Sequence, residues 1–469
     1  MSHASKKSKS PRFYLALWAS KFTLFALKVA KRKGGQLPGV VATKICPDFM
    51  SRLSTPDRLI FVTGTNGKTT TTNLIADMLE STGTQLVTNR EGGNVANGIA
   101  STLIRNSGLG GKPKCETAVL ELDERSARLV FPHVTPDVLV VTNLYRDTFT
   151  RNSHVGYVFD ILSKAIPAES KLVLNADDLI SCQIAPQNSN RAYYSMCELP
   201  QDTRDAQGIV KDLTACPECG GHLSYEYCHL GHIGRVSCDN CGLTNPSAQF
   251  EAIAVNYATK TITVRETADG TSHGYHFTAS SVTDLYNLLG AITAARMAGM
   301  TPEQIAHALS NGVGIVASRY SELMAGGKRL VSIASKGENG MACSRGFANI
   351  RLEEGSKAVV LMLEDYYMAK DPTSTEFIGW LYETDFEFLA DPSIKQIVVT
   401  GIRGEDMKLR LLLAGIDPSR IAMAKDGIAA ADVVDWQNVD TVYYSHAIHN
   451  EYPAEESRAH LAQRIEQQN

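Results

Sequence analysis

The sequence predicts an α/β protein. It has a central P-loop domain on a parallel sheet, an inserted four-cysteine ribbon and a Rossmann-like α/β domain at its C-terminal end. Three observations predict this. The apolar run Leu59-Ile-Phe-Val62 leads into Gly64-Thr-Asn-Gly-Lys-Thr69, then into a stretch that places Leu74, Ile75, Met78 and Leu79 on one helical face. From Leu59 to about Asp178, and again after Tyr320, short β-rich runs alternate with helical stretches, the rhythm of βαβ units. Between these regions, Cys216-Pro-Glu-Cys219-Gly and Cys238-Asp-Asn-Cys241-Gly stand eighteen residues apart.

A chain of 469 residues is long enough for two or three domains, each with its own core. A hydrophobic content of 43% and a charged content of 20% are those of an ordinary globular protein. The formal net charge of -4 gives no reason to expect a nucleic-acid partner. Ten cysteines are too few for a disulfide scaffold of this length, and four are spaced for metal, which points to a reducing, cytoplasmic compartment.

Residues 1–57 read as a helical lead-in punctuated by Pro38-Gly39 and Pro56-Asp57. Lys6, Lys7, Lys9 and Arg12 precede an apolar stretch from Phe13 to Leu27 that superficially suggests a signal peptide. Lys21 interrupts it, Lys28, Lys31, Arg32 and Lys33 follow it, and no small-residue cleavage site closes it. It is also too short and too charged to span a bilayer. An amphipathic helix remains, with packing on the first domain favoured and a membrane-surface role left open.

The central domain is read over residues 58–317. Gly64 and Gly67 let the backbone turn tightly around Thr65 and Asn66, with N–H groups able to face an anion. Lys68 adds a mobile positive charge, and Thr69 or Thr70 can offer a hydroxyl to Mg²⁺. The helix that follows favours phosphate at its N-terminus, so the stretch reads as a site for a nucleoside triphosphate. Further strands are expected at Thr117–Asp123, Asp137–Asn143 and Lys171–Asp178. Ligands of such sheets sit at the carboxyl ends of strands, where Thr63–Thr70, Glu121–Glu124, Thr142-Asn143 and Asn175–Asp178 all fall.

The ribbon is read over residues 212–246. Each Cys-x-x-Cys-Gly turn can aim two thiolates at one tetrahedral metal, so Cys216, Cys219, Cys238 and Cys241 are the candidate ligands of a Zn²⁺ ion. With four cysteines and no open position the zinc should be structural. A redox or disulfide role for the two pairs is the lesser alternative, and Cys228 is a bystander. A hairpin of Phe250–Tyr257 and Lys260–Glu266 resumes the domain. Next comes a helix from Tyr286 that Gly299 ends, and another that opens at Thr301-Pro302. The C-terminal domain is read over 318–469, with strands at Arg329–Ala334, Lys357–Leu363, Gln396–Thr400 and Asp440–Tyr444.

The Gly-Thr-Asn-Gly-Lys-Thr-Thr loop, an acid after the next strand, Thr142-Asn143, Asn175-Ala-Asp-Asp178 and the late Tyr286-Asn287 helix resemble the Mur ligases. In the general P-loop pattern a first glycine would fall at Val62, and the shorter loop found here is the Mur form. The four-cysteine insertion and the C-terminal domain narrow the resemblance to the MurT family, the synthetase subunits of lipid II isoglutaminyl synthase. Further matching pieces are Asn89-Arg-Glu-Gly-Gly-Asn94, Glu121-Leu-Asp-Glu124, Ser318-Arg319, Thr400-Gly-Ile-Arg-Gly-Glu405 and, loosely, Phe149-Thr-Arg151. The similarity runs from about Leu37 to His446.

The resemblance implies ATP-dependent amidation of the D-glutamate α-carboxylate of lipid II through an acyl phosphate. A GatD-type glutamine amidotransferase subunit would supply ammonia within a heterodimer, and the lipid substrate would be met at the inner face of the membrane. Lys68 would act on the transferring phosphoryl group, Thr69 and Glu121 would hold Mg²⁺, and Asn287 and Arg319 would lie near the nucleotide. Asp177 and Asp178 are weaker candidates, since such a strand end is as often only a turn.

The sequence departs from the family pattern in two places. Ser335-Lys-Gly-Glu-Asn-Gly-Met341 stands where the family reads Lys-Asn-Pro-Ala-Gly, and Glu364 to Trp380 replaces a motif that ends Asp-x-Ser-Trp. The family's aspartate there completes the partner's Cys-His pair. Asp371 is its best match, Glu376 the runner-up, and a solvated loop acid is the alternative to either. Two other functions stay open: a Mur-like ligase independent of any glutaminase, and a non-catalytic degenerate paralogue. The intact Lys68, Thr69 and Glu121 argue against the second.

Overall fold

A computed structural model of the chain describes residues 7–32, 35–90, 93–146, 154–279, 281–314, 320–335, 339–363 and 378–468. The chain divides into two compact units. The first comprises Met1–Tyr145, His154–Gln207 and Lys211–Ile315; the second comprises Arg146–Ser153, Gly208–Val210 and Val316–Asn469.

The first unit is built on a nine-stranded sheet. Its strands in chain order are β1 (Arg58–Thr63), β2 (Leu86–Thr88), β3 (Thr117–Glu121), β4 (Val138–Val141), β5 (Lys171–Asn175), β6 (Arg191–Met196), β9 (Phe250–Asn256), β10 (Thr261–Glu266) and β11 (Ser272–His276). They lie in the order β11-β10-β9-β6-β5-β4-β1-β3-β2. Strands from β2 across to β9 are parallel, and β9, β10 and β11 close the edge as antiparallel neighbours. Strand β1 is therefore central, flanked by β3 and β4, and the chain winds to one side of it before returning to the other. Such a reversal opens a crevice at the carboxyl ends of the strands. Register brings Val62 level with Glu121, and Thr63 level with Val141, so the motif residues that follow share one edge.

Helices α1 (Pro11–Val29), α2 (Leu37–Ile45) and α3 (Phe49–Arg52) belong to this unit. Ser10 caps α1 by accepting the Phe13 N–H, and the Phe13 and Phe49 rings stack with centroids 5.0 Å apart. Phe13, Leu17, Phe49, Phe61, Ile99, Leu120 and Leu139 share one core. The remaining α-helices among the described residues of the unit are α4 (Lys68–Ser81), α5 (Ala96–Arg105), α6 (Ala127–Val130), α7 (Val155–Ala165), α8 (Val282–Met297) and α9 (Pro302–Ser310). Helix α8 is buried on nearly all sides, and α9 opens with a capping box between Thr301 and Gln304. The ribbon forms its own two-stranded sheet, β7 (Leu223–Leu230) against β8 (Ile233–Cys238), between β6 and β9 in sequence.

The second unit has a six-stranded sheet in the order β12-β13-β17-β14-β15-β16. Its strands are β12 (Tyr320–Ala325), β13 (Lys328–Ser335), β14 (Lys357–Met362), β15 (Ile394–Val399), β16 (Ile421–Met423) and β17 (Thr441–Ala447). All neighbours are parallel except β12 with β13. Strand β14 is buried on both faces. Its Val360 joins a core with Leu330, Val442 and Leu461, while Val359 joins another with Phe347, Trp380 and Leu411. Helices α10 (Gly340–Leu352), α11 (Gly404–Leu413), α12 (Ala430–Val433) and α13 (Glu451–Gln468) complete it. Both units are thus parallel-sheet α/β folds, as the sequence predicts.

Candidate functional site: a phosphate loop and a four-cysteine knuckle

The loop between β1 and α4 is fixed by its neighbours at the sheet edge. Gly64 and Gly67 both take positive φ, +119° and +83°, where a side chain would be strained. A Cβ on Gly67 would in addition collide with Asn287 Oδ1, so the buried Asn287 of α8 lies directly behind the turn. The Thr65 N–H donates to Asn143 O at 2.8 Å, and the Thr65 hydroxyl donates to Tyr145 O at 3.0 Å. Asn66 N donates to Asn143 Oδ1 and Asn143 Nδ2 donates back to Asn66 O, each at 3.1 Å. Thr142 adds a hydroxyl to Asn66 O at 2.7 Å. The loop is held open by the segment after β4, and α4 begins at once at Lys68. Helix geometry leaves the first-turn N–H groups without intrahelical acceptors, which suits them to an anion.

Two contacts organise the charged side of the site. Thr69 Oγ1 donates to Glu121 Oε2 at 2.6 Å, while Asn94 Nδ2 donates to Glu121 Oε1 at 2.8 Å. Asn89 holds the Glu121 backbone from both sides, accepting its N–H and donating to its carbonyl at 2.8 Å. The two residues read from sequence as Mg²⁺ ligands are therefore adjacent, and both offer hard oxygens. Thr70, the other hydroxyl considered, lies one residue further along α4 and is half-buried.

Lys68 Nζ donates to Glu124 Oε1 at 2.7 Å, to Thr65 O at 3.1 Å and to Gly64 O. Its side chain is 15% exposed and that of Glu124 only 4%. Sequence reasoning placed Glu124 at this edge but missed its role as the lysine's partner. Its position in the turn just after Glu121 is the only local signal for it.

Asp177 and Asp178 are wholly buried. Asp178 accepts from Leu144 N at 2.8 Å, Ile180 N at 3.0 Å, Ser181 N at 3.1 Å and His232 Nε2 at 3.0 Å. Burial pushes its carboxyl up, but the His232 charge and these donors outweigh it and hold it below the usual range. Asp177 accepts from Met196 N and the Tyr286 hydroxyl, both at 2.8 Å, and burial raises it. Both acids are positioning groups that lock the strand ends. Arg319, Asp371 and Glu376 lie outside the described residues.

In the ribbon the sulfur atoms of Cys216, Cys219, Cys238 and Cys241 all lie within 4.8 Å of one another. Cys216 Sγ stands 3.6 Å from Cys241 Sγ, and Cys219 Sγ 3.5 Å from Cys238 Sγ. A tetrahedral zinc site with bonds of about 2.3 Å needs sulfurs about 3.8 Å apart, whereas a disulfide needs about 2.05 Å. The donor set fits a closed tetrahedral metal site. Cys228 is not in it and donates instead to Gly231 O at 3.2 Å. The hairpin's turn reaches back to the sheet edge, where His232 meets Asp178 and Leu230 O accepts the Tyr145 hydroxyl at 3.1 Å.

Among solved structures the chain is similar to a pseudomurein peptide ligase type C from Methanothermus fervidus. The TM-score is 0.66 at 18% identity, over 89% of this chain and 80% of that one. It is also similar to MurF from Acinetobacter baumannii, with a TM-score of 0.60 at 13% identity over 89% and 80%. The fold is that of a Mur ligase. The family model for the Mur ligase middle domain matches residues 62–225, and that for the MurT ligase C-terminal domain matches residues 337–447. The MurT subunit of lipid II isoglutaminyl synthase (glutamine-hydrolyzing) from Staphylococcus aureus (strain COL) is 30% identical over 91% of this chain and 93% of its own length. The protein of that name from Streptococcus pneumoniae (strain ATCC BAA-255 / R6) is 27% identical over 87% and 88%. The chain belongs to the MurT family.

Proposed function

We propose that this chain is the ATP-dependent synthetase subunit of a lipid II isoglutaminyl synthase. It would convert the D-glutamate α-carboxylate of the lipid II stem peptide to the amide. The observation that carries the reading is Thr69 paired with Glu121 beside Lys68, in a chain that matches curated MurT proteins over nine-tenths of its length.

A carboxylate is a poor acyl donor. Its oxygen therefore attacks the γ-phosphorus of ATP, the bond to ADP breaks, and an acyl phosphate forms. The nitrogen lone pair of ammonia then attacks the carbonyl carbon, the nitrogen loses a proton and inorganic phosphate leaves. Lys68 acts by exchanging its Glu124 and carbonyl contacts for the phosphoryl oxygens, where negative charge develops. Thr69 and Glu121 would hold Mg²⁺, which supplies charge neutralisation between the phosphates. Asn287 behind the turn, and Arg319 by resemblance, border the nucleotide. Cys216, Cys219, Cys238 and Cys241 would hold a structural Zn²⁺ with no position left for water.

The ammonia comes from a GatD-type glutaminase bound as a heterodimer in the cytoplasm. By resemblance Asp371, or Glu376 as the runner-up, orients the imidazole of that partner's Cys-His pair. The test is to purify the chain with a GatD-type glutaminase and assay lipid II amidation with glutamine and with ammonium. Both nitrogen sources should work in the wild type. Asp371→Asn should lose the glutamine reaction by orders of magnitude and keep the ammonium one. No amidation from either source would overturn the reading.

A further inference from the structure

Helix α1 is apolar on two opposite faces. Phe13, Ala16, Leu17 and Ser20 are buried against the first unit. Leu15, Trp18, Phe22, Phe25 and Val29 recur at helical spacing on the other side and are between 54% and 70% exposed. Leu109 extends the patch, itself 69% exposed and accepting the Trp18 indole N–H at its carbonyl at 3.1 Å. A helix apolar all round is normally covered all round. Six large apolar side chains in one exposed stripe mark an interaction surface.

The charge around the stripe identifies what covers it. Residues 1–47 contain ten of the chain's Lys and Arg residues and no Asp or Glu, although the whole chain carries a formal charge of -4. Some of these cations are engaged: Lys9 donates to Gly110 O, and Lys21 to Ile104 O. Lys28, Lys31 and Arg32 follow the stripe, are exposed and take part in no ion pair among the described residues. An exposed Trp and Phe stripe flanked by cations is the composition of a helix lying in the plane of an anionic bilayer. No described helix is long and apolar enough to cross a membrane.

We propose that the outward face of α1 docks the chain on an anionic lipid surface. Leu15, Trp18, Phe22, Phe25 and Val29 enter the acyl boundary, while Lys28, Lys31 and Arg32 meet the headgroup phosphates. The proposal rests on exposure and charge, not on the amidation reading, and either can fail while the other stands.

The test is sedimentation of the full chain with vesicles of phosphatidylcholine, with and without phosphatidylglycerol, in the absence of lipid II. The wild type should bind the anionic vesicles, lose binding as salt is raised, and shift its tryptophan emission to the blue. Phe22→Ser with Phe25→Ser should weaken binding at least about tenfold, since two buried aromatic side chains are lost. Lys28→Glu with Lys31→Glu should weaken it by about fivefold or more for each cation reversed. These four side chains are exposed, so melting temperatures should not move. If the phenylalanine pair does unfold the helix, the lysine pair still decides the matter. Absence of wild-type binding, equal binding to neutral vesicles, or unchanged binding in both variants would each overturn the proposal. So would a wild-type dimer in solution that the phenylalanine pair dissolves without any vesicle binding, which would assign the stripe to a second copy.

Discussion

The Lys68–Glu124 pair sets up a competition that one substitution can expose. In the free protein the ammonium is held at 2.7 Å by a carboxylate only 4% exposed, with two loop carbonyls as further acceptors. A hydrogen bond between charged groups contributes about 1.5–3 kcal/mol. Glu124→Gln keeps the shape and one carbonyl oxygen, and Lys68 keeps its backbone acceptors, so the net loss should be about 1–2 kcal/mol, or about 2–4 °C in melting temperature. To reach a triphosphate, Lys68 must leave Glu124, so wild-type binding carries the cost of breaking that pair. Glu124→Gln removes this cost, and a non-hydrolysable ATP analogue should bind about 5–30-fold more tightly. Calorimetric titration of both proteins with the analogue and Mg²⁺, with thermal melts in parallel, measures the two halves. A variant that is both less stable and weaker in nucleotide binding would refute the reasoning and make Glu124 a direct part of the nucleotide site.

Other expectations follow from the same geometry. Lys68→Ala and Glu121→Ala should each lower ATP turnover by about 10²-fold or more, mostly in kcat, with the fold retained; wild-type turnover in either would contradict the assignment. Elemental analysis should find about one zinc per chain, and Cys216→Ser with Cys241→Ser should lose it and melt the ribbon before the main sheet, since such sites bind with about 10–16 kcal/mol. His446 in β17 donates from Nδ1 to Ala447 O and accepts the Ser332 hydroxyl at Nε2, and burial lowers its pKa from 6.5. The unfolded chain therefore binds the proton first. The second unit's stability should be full above about pH 6.5 and fall as pH drops below it, and His446→Gln should flatten that slope in thermal melts.

The parts legible in the sequence were those with strong local chemistry. The glycine turn, Lys68 and Thr69 were read from a strand, a turn and a helix start, Glu121 from its place at a strand end and from the family resemblance, and the four cysteines from spacing. The buried parallel strands announced themselves as apolar runs. Seven strands did not. Arg191–Met196 carries Arg, two Tyr and Ser rather than an apolar run, Leu223–Leu230 and Ile233–Cys238 form the small sheet of the ribbon, and Leu86–Thr88, Ser272–His276, Tyr320–Ala325 and Ile421–Met423 lie at sheet edges where little burial constrains them. Glu124 was invisible as a partner because its contact spans 56 positions. The outer face of α1 was half legible. The sequence posed packing and a membrane-surface role as alternatives; Phe13, Ala16 and Leu17 supply the packing, and a second apolar face stays exposed that the sequence pattern did not separate from it.

The ribbon hairpin looks like a detachable cassette, inserted between two strands of a complete sheet. Its turn argues otherwise. His232 hydrogen-bonds the fully buried Asp178, whose other oxygen accepts the Leu144 N–H, and Leu230 O receives the hydroxyl of Tyr145, the residue that holds Thr65 in the loop. Asn245, just past the hairpin, donates to Ala176 O at 2.7 Å, and Gly234 N donates to Asp177 O at 2.9 Å. Excising the ribbon would remove one of the four hydrogen-bond donors of a buried carboxylate and loosen the segment that shapes the loop. A lineage that discarded this insertion would have to rebuild the partners of Asp178 and Tyr145, so its loss and changes in the segment after β4 should travel together.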